Sequence, residues 1–331
     1  MKINNKITFN KETHDPFIDA LKGFSILFVI INHALPLYLK QDVFYNLWGG
    51  LGVPIFLLLQ TYHYFKRGLN NLKPFNTIAF VKKMLVPYIF AELVIVLIKG
   101  LWEKDIIGVL KFAFLNGGVG PGNHYIWIFL QFVILLPLCA KLFTKLKGIW
   151  VPLVMILFSE ALEILCSYIQ PDPRIYNFLF FRYFFLIYLG YTWAVEGIFI
   201  NYKRFLLSIF SIVCILVLEY GNTNFSPFIF DTVRKTNHWV CYFYVAFLFP
   251  FILKWVYEST GKVIKRILEF CGKESWCIFC TQIIVFELLH PGMFTFIQSV
   301  LLRNLLYFVS AILLSLIPAI VLSHIKKIRK K

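Results

Sequence analysis

The 331-residue chain is dominated by apolar side chains: 59% of its residues are hydrophobic and 15% are charged, against roughly a quarter charged in an ordinary soluble domain. A single water-soluble fold has too small an interior to cover that much apolar surface, so the composition excludes an ordinary soluble domain. The formal net charge of +16 is no sign of nucleic-acid binding, because the basic residues border apolar runs and form no single basic face. We expect an integral membrane protein in contact with the lipid bilayer.

Apolar runs recur along the whole chain. A hydrocarbon core of about 30 Å takes about 20 helical residues to cross, and a helix satisfies its own backbone hydrogen bonds in lipid. The sequence therefore predicts an all-α, polytopic membrane helix bundle with about ten transmembrane helices. The predicted spans are 17–39, 47–65, 78–98, 123–144, 148–169, 176–196, 203–220, 238–258, 270–290 and 301–325. The apolar stretch 106–115 is too short to cross, which predicts an interfacial or re-entrant helix.

The orientation follows from the basic residues, since cytoplasmic loops of membrane proteins carry the excess of Lys and Arg. With the N-terminus inside, 22 of the 33 Lys and Arg residues lie in cytoplasmic segments and eight on the opposite side. Both termini are therefore predicted to be cytoplasmic. No run has the pattern of a separate soluble domain or an internal repeat. The expected organisation is a cytoplasmic tail over 1–16, one transmembrane domain over 17–325 and a basic cytoplasmic tail over 326–331.

The seven cysteines are odd in number and lie in or beside apolar runs, which is not the pattern of a disulfide framework. Cys277 and Cys280 have CxxC spacing, but no second ligand pair is near them in the sequence. We expect these two residues to be packing residues, and we expect no metal site.

Five ionisable residues fall inside the predicted spans: His33, Glu92, Glu160, Glu163 and Arg182. An Arg, Lys or Asp at the centre of a span costs about 2.5 to 3.5 kcal/mol on insertion scales, so each such residue raises a functional question. Glu92 is expected to pair with His33 or Arg182, or to form a structural bond between helices. Glu160 and Glu163 share one helix face, where they either line an aqueous cavity or pair with Arg182.

The first span is the most informative. Lys22 and His33 are eleven residues apart, which in a helix returns to within about 20° of the same face and advances about 16 Å. One helix thus presents a cation at its cytoplasmic end and an imidazole deep in the membrane. This arrangement suits a carrier with an anionic head and a long arm, such as coenzyme A, with a neutral histidine as general base on an acceptor hydroxyl. The alternative is that Lys22 only snorkels to the surface and His33 bonds to a neighbouring helix.

The same span, with Asp19, Lys22, Gly23 and His33, resembles the opening helix of the acyltransferase-3 family of membrane acyltransferases. Further stretches resemble other signatures of the family, and the resemblance covers about residues 17 to 325. They are Gly52 to Leu59, Lys83 to Tyr88, His124 and Tyr125 with Gln131 and Pro137, Tyr188 to Tyr191, and Ser275 to Thr281.

Members of that family O-acetylate surface polysaccharides, lipopolysaccharide and peptidoglycan. The resemblance implies an O-acetyltransferase of the bacterial inner membrane that uses acetyl-CoA, with a hydroxyl of a cell-surface polysaccharide or a lipid-linked glycan precursor as acceptor. It implies His33 as the catalytic base. Lys22, Lys82 and Lys83 are expected to bind the phosphates of the acyl-CoA, and Glu92 and Arg182 to bind substrate.

The chain departs from the family pattern at Gln60 and Thr61, where members often have Ser-Gly, and at Gln282, where they often have His. Lys82 and Lys83 stand where members have paired arginines, and a lysine offers a phosphate a point charge without the bidentate fork of arginine. The departures at Gln60, Thr61 and Gln282 keep a non-catalytic assembly protein open as one alternative. Another is a transporter or flippase for a polysaccharide or lipid-linked sugar, since many carriers have buried Glu and Arg in helix bundles.

Overall fold

The computed structural model describes residues 15–40, 44–69, 77–146, 148–221, 224–230 and 235–328. These residues are largely helical and contain no strand, so the all-α prediction is confirmed. The helices are α1 (Pro16–Ala34), α2 (Leu37–Lys40), α3 (Gly52–Leu69), α4 (Thr77–Glu103), α5 (Ile106–Leu115), α6 (His124–Lys145), α7 (Trp150–Ile169), α8 (Pro173–Phe178), α9 (Leu186–Glu196), α10 (Tyr202–Tyr220), α11 (Phe249–Ser259), α12 (Lys262–Lys273), α13 (Ser275–Leu288) and α14 (Val300–Ile328).

Seven helical segments in the described part of the chain are long and apolar enough to cross a membrane. They are Pro16–Ala34, Val81–Glu103, His124–Lys145, Trp150–Ile169, Pro173–Glu196, Trp239–Ser259 and Val300–Ile328. The three other predicted spans contain α3, α10 and α13, of which α13 has only 14 residues. The stretch predicted to be too short to cross forms the ten-residue helix α5. The multi-pass helical architecture is thus present, while the total of about ten spans and the cytoplasmic termini remain predictions.

Two predicted span boundaries differ from the structure for physical reasons. The first helix ends at Ala34 instead of residue 39, because Leu35 precedes Pro36 and adopts an extended conformation (φ −69°, ψ 136°). The predicted span 270–290 begins too early, because α12 continues to Lys273 and α13 starts at Ser275. Helix α12 is amphipathic and buries one face at Leu268, Cys271 and Gly272, so it is a separate element.

Helix α1 is central to the bundle and packs against α3, α11, α12, α13 and α14. Its crossing with α12 is very close, because glycines lie on both helices. A Cβ added to Gly23 would lie 2.0 Å from the Leu268 carbonyl oxygen, and one added to Gly272 would lie 1.7 Å from that of Asp19. Small residues that let two backbones approach are typical of helix packing in membranes. This contact fixes the N-terminal half of α1.

A second close contact joins α3 to α9. A Cβ on Gly190 would lie 2.8 Å from the Leu58 carbonyl oxygen and 2.6 Å from Cβ of Thr61. Thr61 is fully buried there. One of the positions where the chain departs from the family pattern therefore serves helix packing.

Candidate active site

A cavity of about 460 Å³ lies among α1, α3, α4, α6, α12 and α13. We call it the basic cavity, because Lys22, Lys83 and Lys273 line it together with Asp19. These charged residues lie near the N-terminal ends of α1 and α4 and at the end of α12, and they form the mouth of the cavity. Tyr125 and Phe129, in the first two turns of α6, line its inner end. Phe279 of α13 lines the same end, with its ring centroid 5.4 Å from that of Tyr125. Two lysines that the sequence places 61 positions apart thus share one cavity.

The mouth carries excess positive charge. Lys22 Nζ lies 3.3 Å from Asp19 Oδ1, and Lys273 Nζ lies 3.9 Å from Oδ2 of the same carboxylate and 4.0 Å from Glu269. Lys83 is exposed and takes part in none of the ion pairs among the described residues. Three ammonium groups therefore face one lining carboxylate, and an anion entering the cavity meets a favourable potential.

His33 lies in the last turn of α1, on the same unbroken helix as Lys22, so the predicted alignment of the two residues is present. Its imidazole packs against the Phe286 ring, with 5.6 Å between ring centroids. A Cβ added to Gly122 would lie 3.9 Å from His33 Nε2 and 3.6 Å from the ring of Phe279. Because Phe279 lines the inner end of the basic cavity, Gly122 and Phe279 connect His33 to that cavity.

Tyr45 forms a hydrogen bond next to His33. Its hydroxyl donates a hydrogen bond to Oδ1 of Asn32, the residue before His33. Burial raises the pKa of Tyr45 to about 12, so the hydroxyl stays protonated and continues to donate near neutral pH. This bond ties the segment after α2 to the C-terminal turn of α1.

The segment from Asn116 to Asn123, which we call the glycine loop, connects α5 to α6. Four of its eight residues are glycines with positive φ: Gly117 (65°), Gly118 (128°), Gly120 (88°) and Gly122 (86°). Other residues rarely adopt these conformations, and only glycine lets the backbone lie this close to its neighbours. The Tyr88 hydroxyl and Trp127 Nε1 both donate to the Gly117 carbonyl, at 3.0 and 2.6 Å. The loop is therefore held in a defined shape against His33.

A second cavity of about 460 Å³, which we call the polar cavity, lies at the other side of the glycine loop. Its lining comprises Phe112, Asn116, Gly118, Gly120, Asn123, His124, Arg174, Asn177 and Phe178. Amide side chains can both donate and accept hydrogen bonds, and aromatic rings offer flat apolar faces. The glycine loop thus lies between the polar cavity and His33, which approaches the basic cavity through Gly122 and Phe279 without lining it.

Glu92 supports the glycine loop. Its Oε2 accepts a hydrogen bond of 2.7 Å from the Val119 backbone N–H, and a Cβ on Gly118 would lie 2.6 Å from its Oε1. Among the described residues no ion pair joins Glu92 to His33 or Arg182. The bond that Glu92 makes is structural, but it joins α4 to the backbone of a loop and is not the bond between helices that the sequence suggested.

Arg182 is buried and lies behind the polar cavity. Its Nη2 donates to Asn177 Oδ1 at 2.8 Å, and its guanidinium lies over the rings of Tyr176 and Tyr183 at 5.5 and 5.2 Å. Arg182 does not line the cavity itself, whereas Asn177 does. Both residues predicted to bind substrate therefore hold a wall of the polar cavity.

Glu160 and Glu163 have partners on other elements. Glu160 Oε2 lies 3.2 Å from His238 Nε2 and accepts a hydrogen bond of 2.8 Å from Trp239 Nε1. Glu163 accepts bonds from the Tyr176 hydroxyl and, at 3.1 Å, from the Phe230 backbone N–H. Neither residue lines the two cavities described above, so this pair serves to join α7 to its neighbours.

The remaining sequence-predicted residues take different places. Lys82 is exposed and does not line the basic cavity, although Lys83 beside it does. Gln60 lines that cavity and donates from Nε2 to the Phe129 carbonyl at 3.0 Å. Gln282 is fully buried in α13, one helical turn before Phe286, and neither end of its amide has a hydrogen-bond partner among the described residues.

Sequence reasoning missed the glycine loop, the polar cavity and Lys273. Four glycines within eight residues were a visible signal for the loop. No sequence pattern indicated that the loop would contact His33, or that α12 would bring Lys273 to the mouth of the basic cavity.

Comparison with known proteins agrees with this arrangement. A family model described as an acyltransferase domain, that of the acyltransferase-3 family, matches residues 15–324. The match covers nearly the whole chain, and the chain therefore belongs to the acyltransferase-3 family. Together with its apolar helices, this makes the protein a multi-pass membrane acyltransferase. No curated protein and no solved structure matches the chain.

Proposed function

We propose that the protein transfers an acetyl group from acetyl-CoA to a hydroxyl of a cell-surface polysaccharide or a lipid-linked glycan precursor. The observation that carries this proposal is that Lys22 and Lys83 line one cavity, and that Phe279 at its inner end lies next to Gly122, the loop residue that approaches His33. Lys22 is about 16 Å from His33 along α1, a distance that a long acyl carrier with its anionic head at the lysines can span. Family membership supports the acyltransferase class, and the acetyl donor and the acceptor are part of the proposal.

In this mechanism, neutral His33 accepts the proton of the acceptor hydroxyl as the oxygen attacks the thioester carbonyl carbon. A new ester C–O bond forms, the C–S bond breaks, and the sulfur of coenzyme A leaves as a thiolate that takes up the proton from His33. Lys22, Lys83 and Lys273 hold the phosphates by charge. Lys82 lies outside the cavity and contributes only to the field at the mouth. The proposed steps require no metal ion.

The acceptor enters through the polar cavity in this proposal. Asn123 Nδ2 already donates to two loop carbonyls, so Asn123 offers sugar hydroxyls its Oδ1 as an acceptor. Asn116 and Asn177 each keep at least one amide hydrogen to donate. Phe112 and Phe178 offer apolar faces to a pyranose ring. In this proposal Glu92 and Arg182 do not touch the acceptor; they position the residues that line the polar cavity, through Val119 and Asn177 respectively. Because the basic cavity is predicted to open to the cytoplasm, the polar cavity opens on the opposite side of a bacterial cytoplasmic membrane.

The first test is the turnover of radiolabelled acetyl-CoA by purified protein in detergent. We expect slow hydrolysis, or transfer to added glycan, which His33→Ala reduces by roughly 10² to 10⁴-fold, the usual contribution of a general base. His324→Ala is the matched control, because His324 is exposed on α14 and lies outside both cavities. Full activity of folded His33→Ala would refute the mechanism.

The same experiment separates the enzyme from a transporter. A carrier for a polysaccharide or lipid-linked sugar has no need of a thioester. Absence of both acetyl-CoA binding and turnover in folded protein would replace the acyltransferase proposal with a transport role.

A further inference from the structure

A long groove runs along α13 between α4 and α14, with a volume of about 840 Å³. Helix α13 packs against both neighbouring helices and forms the floor of this α13 groove. The floor extends from Glu274 to Leu289, which corresponds to about 22 Å at the rise of an α-helix. This length is comparable with one leaflet, headgroups included, of a bilayer that is about 40 to 45 Å thick in total.

Most of the groove is apolar. Ile284 and Leu288 on the floor, with Phe90 and Leu314 on the two walls, present hydrocarbon to its interior. The Thr281 hydroxyl donates to the Cys277 carbonyl at 2.9 Å within its own helix, so its hydrogen is already used. A hydrocarbon chain therefore finds no unsatisfied hydroxyl along this floor.

One end of the groove is cationic. Lys83, Lys273 and Lys326 line this end together with a single carboxylate, Glu274. Lys326 Nζ lies 3.1 Å from Glu274 Oε2, which leaves an excess of positive charge at this end. Because α14 ends in further basic residues, this is the end predicted to face the cytoplasm, where anionic lipids concentrate.

We propose that the α13 groove is a binding site for an anionic glycerophospholipid of the cytoplasmic leaflet, with one chain along α13 and the phosphate at Lys326, the lysine of the cationic end that does not line the basic cavity. The positive charge at one end favours an anionic headgroup over a neutral one, and the apolar floor accommodates a hydrocarbon chain. The groove shares Lys83, Lys273 and Trp276 with the basic cavity, so the bound lipid forms part of the rim of that cavity. This inference does not depend on the reaction that the enzyme catalyses.

Native mass spectrometry of delipidated protein in detergent tests the site, with phosphatidylglycerol and phosphatidylcholine of identical chains as the added lipids. We expect one phosphatidylglycerol to bind at least about fivefold more tightly than phosphatidylcholine, the factor expected for a single lysine near a lipid charge. Lys326→Gln should remove most of this preference. The matched control is Lys327→Gln, because Lys327 is the next residue of α14 and does not line the groove.

A second pair of variants tests the chain site. Leu314→Trp fills the groove and should abolish the tight binding of phosphatidylglycerol, whereas Leu313→Trp, on an exposed face outside the groove, should not. Because Lys326 is exposed, its variant carries the test even if Leu314→Trp does not fold. Equal binding of the two lipids, or equal effects of a variant and its control, would show that the groove holds only non-specific boundary lipid and would refute the proposal. Tighter binding of a polyprenyl phosphate would equally overturn the assignment to a glycerophospholipid.

Discussion

Glu92 Oε2 accepts a hydrogen bond of 2.7 Å from the backbone N–H of Val119, and it thereby joins α4 to the glycine loop. The loop lies between His33 and the polar cavity, so its position sets where an acceptor hydroxyl stands relative to the imidazole. A misplacement of about 1 Å in such a constellation can reduce a rate by about a hundredfold.

We therefore expect Glu92→Ala to lower acetyl transfer to an acceptor by roughly tenfold to a hundredfold. Glu92→Gln keeps an oxygen that accepts from Val119, and most of the activity should be retained. The rate of acetyl-CoA hydrolysis, which needs no acceptor, should change little in either variant. Equal losses in the two variants would show that the charge of Glu92 matters, and not its bond to the loop.

An added Cβ on the loop residue Gly122 would lie close to His33, and the φ of Gly122, +86°, is unfavourable for any other residue. Gly122→Ala adds backbone strain of order 1 to 3 kcal/mol, and it also places a methyl group 3.9 Å from His33 Nε2 and 3.6 Å from the Phe279 ring. The methyl group would make ordinary van der Waals contacts and fill the space beside the imidazole, so we expect acetyl transfer to fall by about a hundredfold, as for a 1 Å misplacement of reacting groups.

The control for this prediction is Gly148→Ala. Gly148 also has a positive φ, of +59°, but an added Cβ would meet nothing within 4 Å. This variant should lose stability without a specific loss of activity per folded molecule. Thermal unfolding and turnover of both variants, measured in parallel, separate backbone strain from obstruction of the site.

Some parts of the site could be predicted from the sequence and others could not. The alignment of Lys22 with His33 was predictable, because both residues lie on one helix and helical geometry alone relates them. The close packing of Gly122 against His33 was not, because it depends on how α5, the glycine loop and α13 pack together. The same limit applies to Lys83 and Lys273, which meet only through tertiary structure.

The errors in the fold prediction have equally local causes. The predicted first span ran past Ala34, because its apolar pattern continued across Leu35 and Pro36 although the proline ends the helix. The start of α13 was misplaced because Phe270 and Cys271 are apolar, yet they belong to the amphipathic helix α12. Hydropathy does not distinguish an apolar face from an apolar span over so few residues.

The crossing of α1 and α12 gives a prediction about stability. Gly272→Ala would place a Cβ 1.7 Å from the Asp19 carbonyl oxygen, so the two helices must move apart. We expect a loss of about 1 to 3 kcal/mol, as for overpacked cores, and therefore a lower thermal midpoint in detergent.

Gly68→Ala is the matched control for the crossing, since Gly68 is also helical and an added Cβ there meets nothing within 4 Å. Alanine is favoured over glycine in a helix by about 1 kcal/mol, so this variant should be neutral or more stable. A Gly272→Ala protein as stable as Gly68→Ala would contradict the close packing of α1 and α12.

Two adjacent lysines of α4, Lys82 and Lys83, allow the effect of a lysine inside the basic cavity to be compared with that of one outside it. Lys83 lines the basic cavity, whereas Lys82 is exposed beside it and does not. Lys83→Ala should therefore raise KM for acetyl-CoA roughly tenfold, the effect of losing one hydrogen bond to a charged group, with a smaller change in kcat. Lys82→Ala should raise KM less than about twofold, because an exposed charge is screened by solvent and salt. Kinetics at low and high salt provide the check. Added salt should raise KM for acetyl-CoA more in the wild-type protein than in Lys83→Ala, since the variant has already lost a charge that salt would screen. Equal KM values for the two variants would mean that the phosphates bind outside the basic cavity.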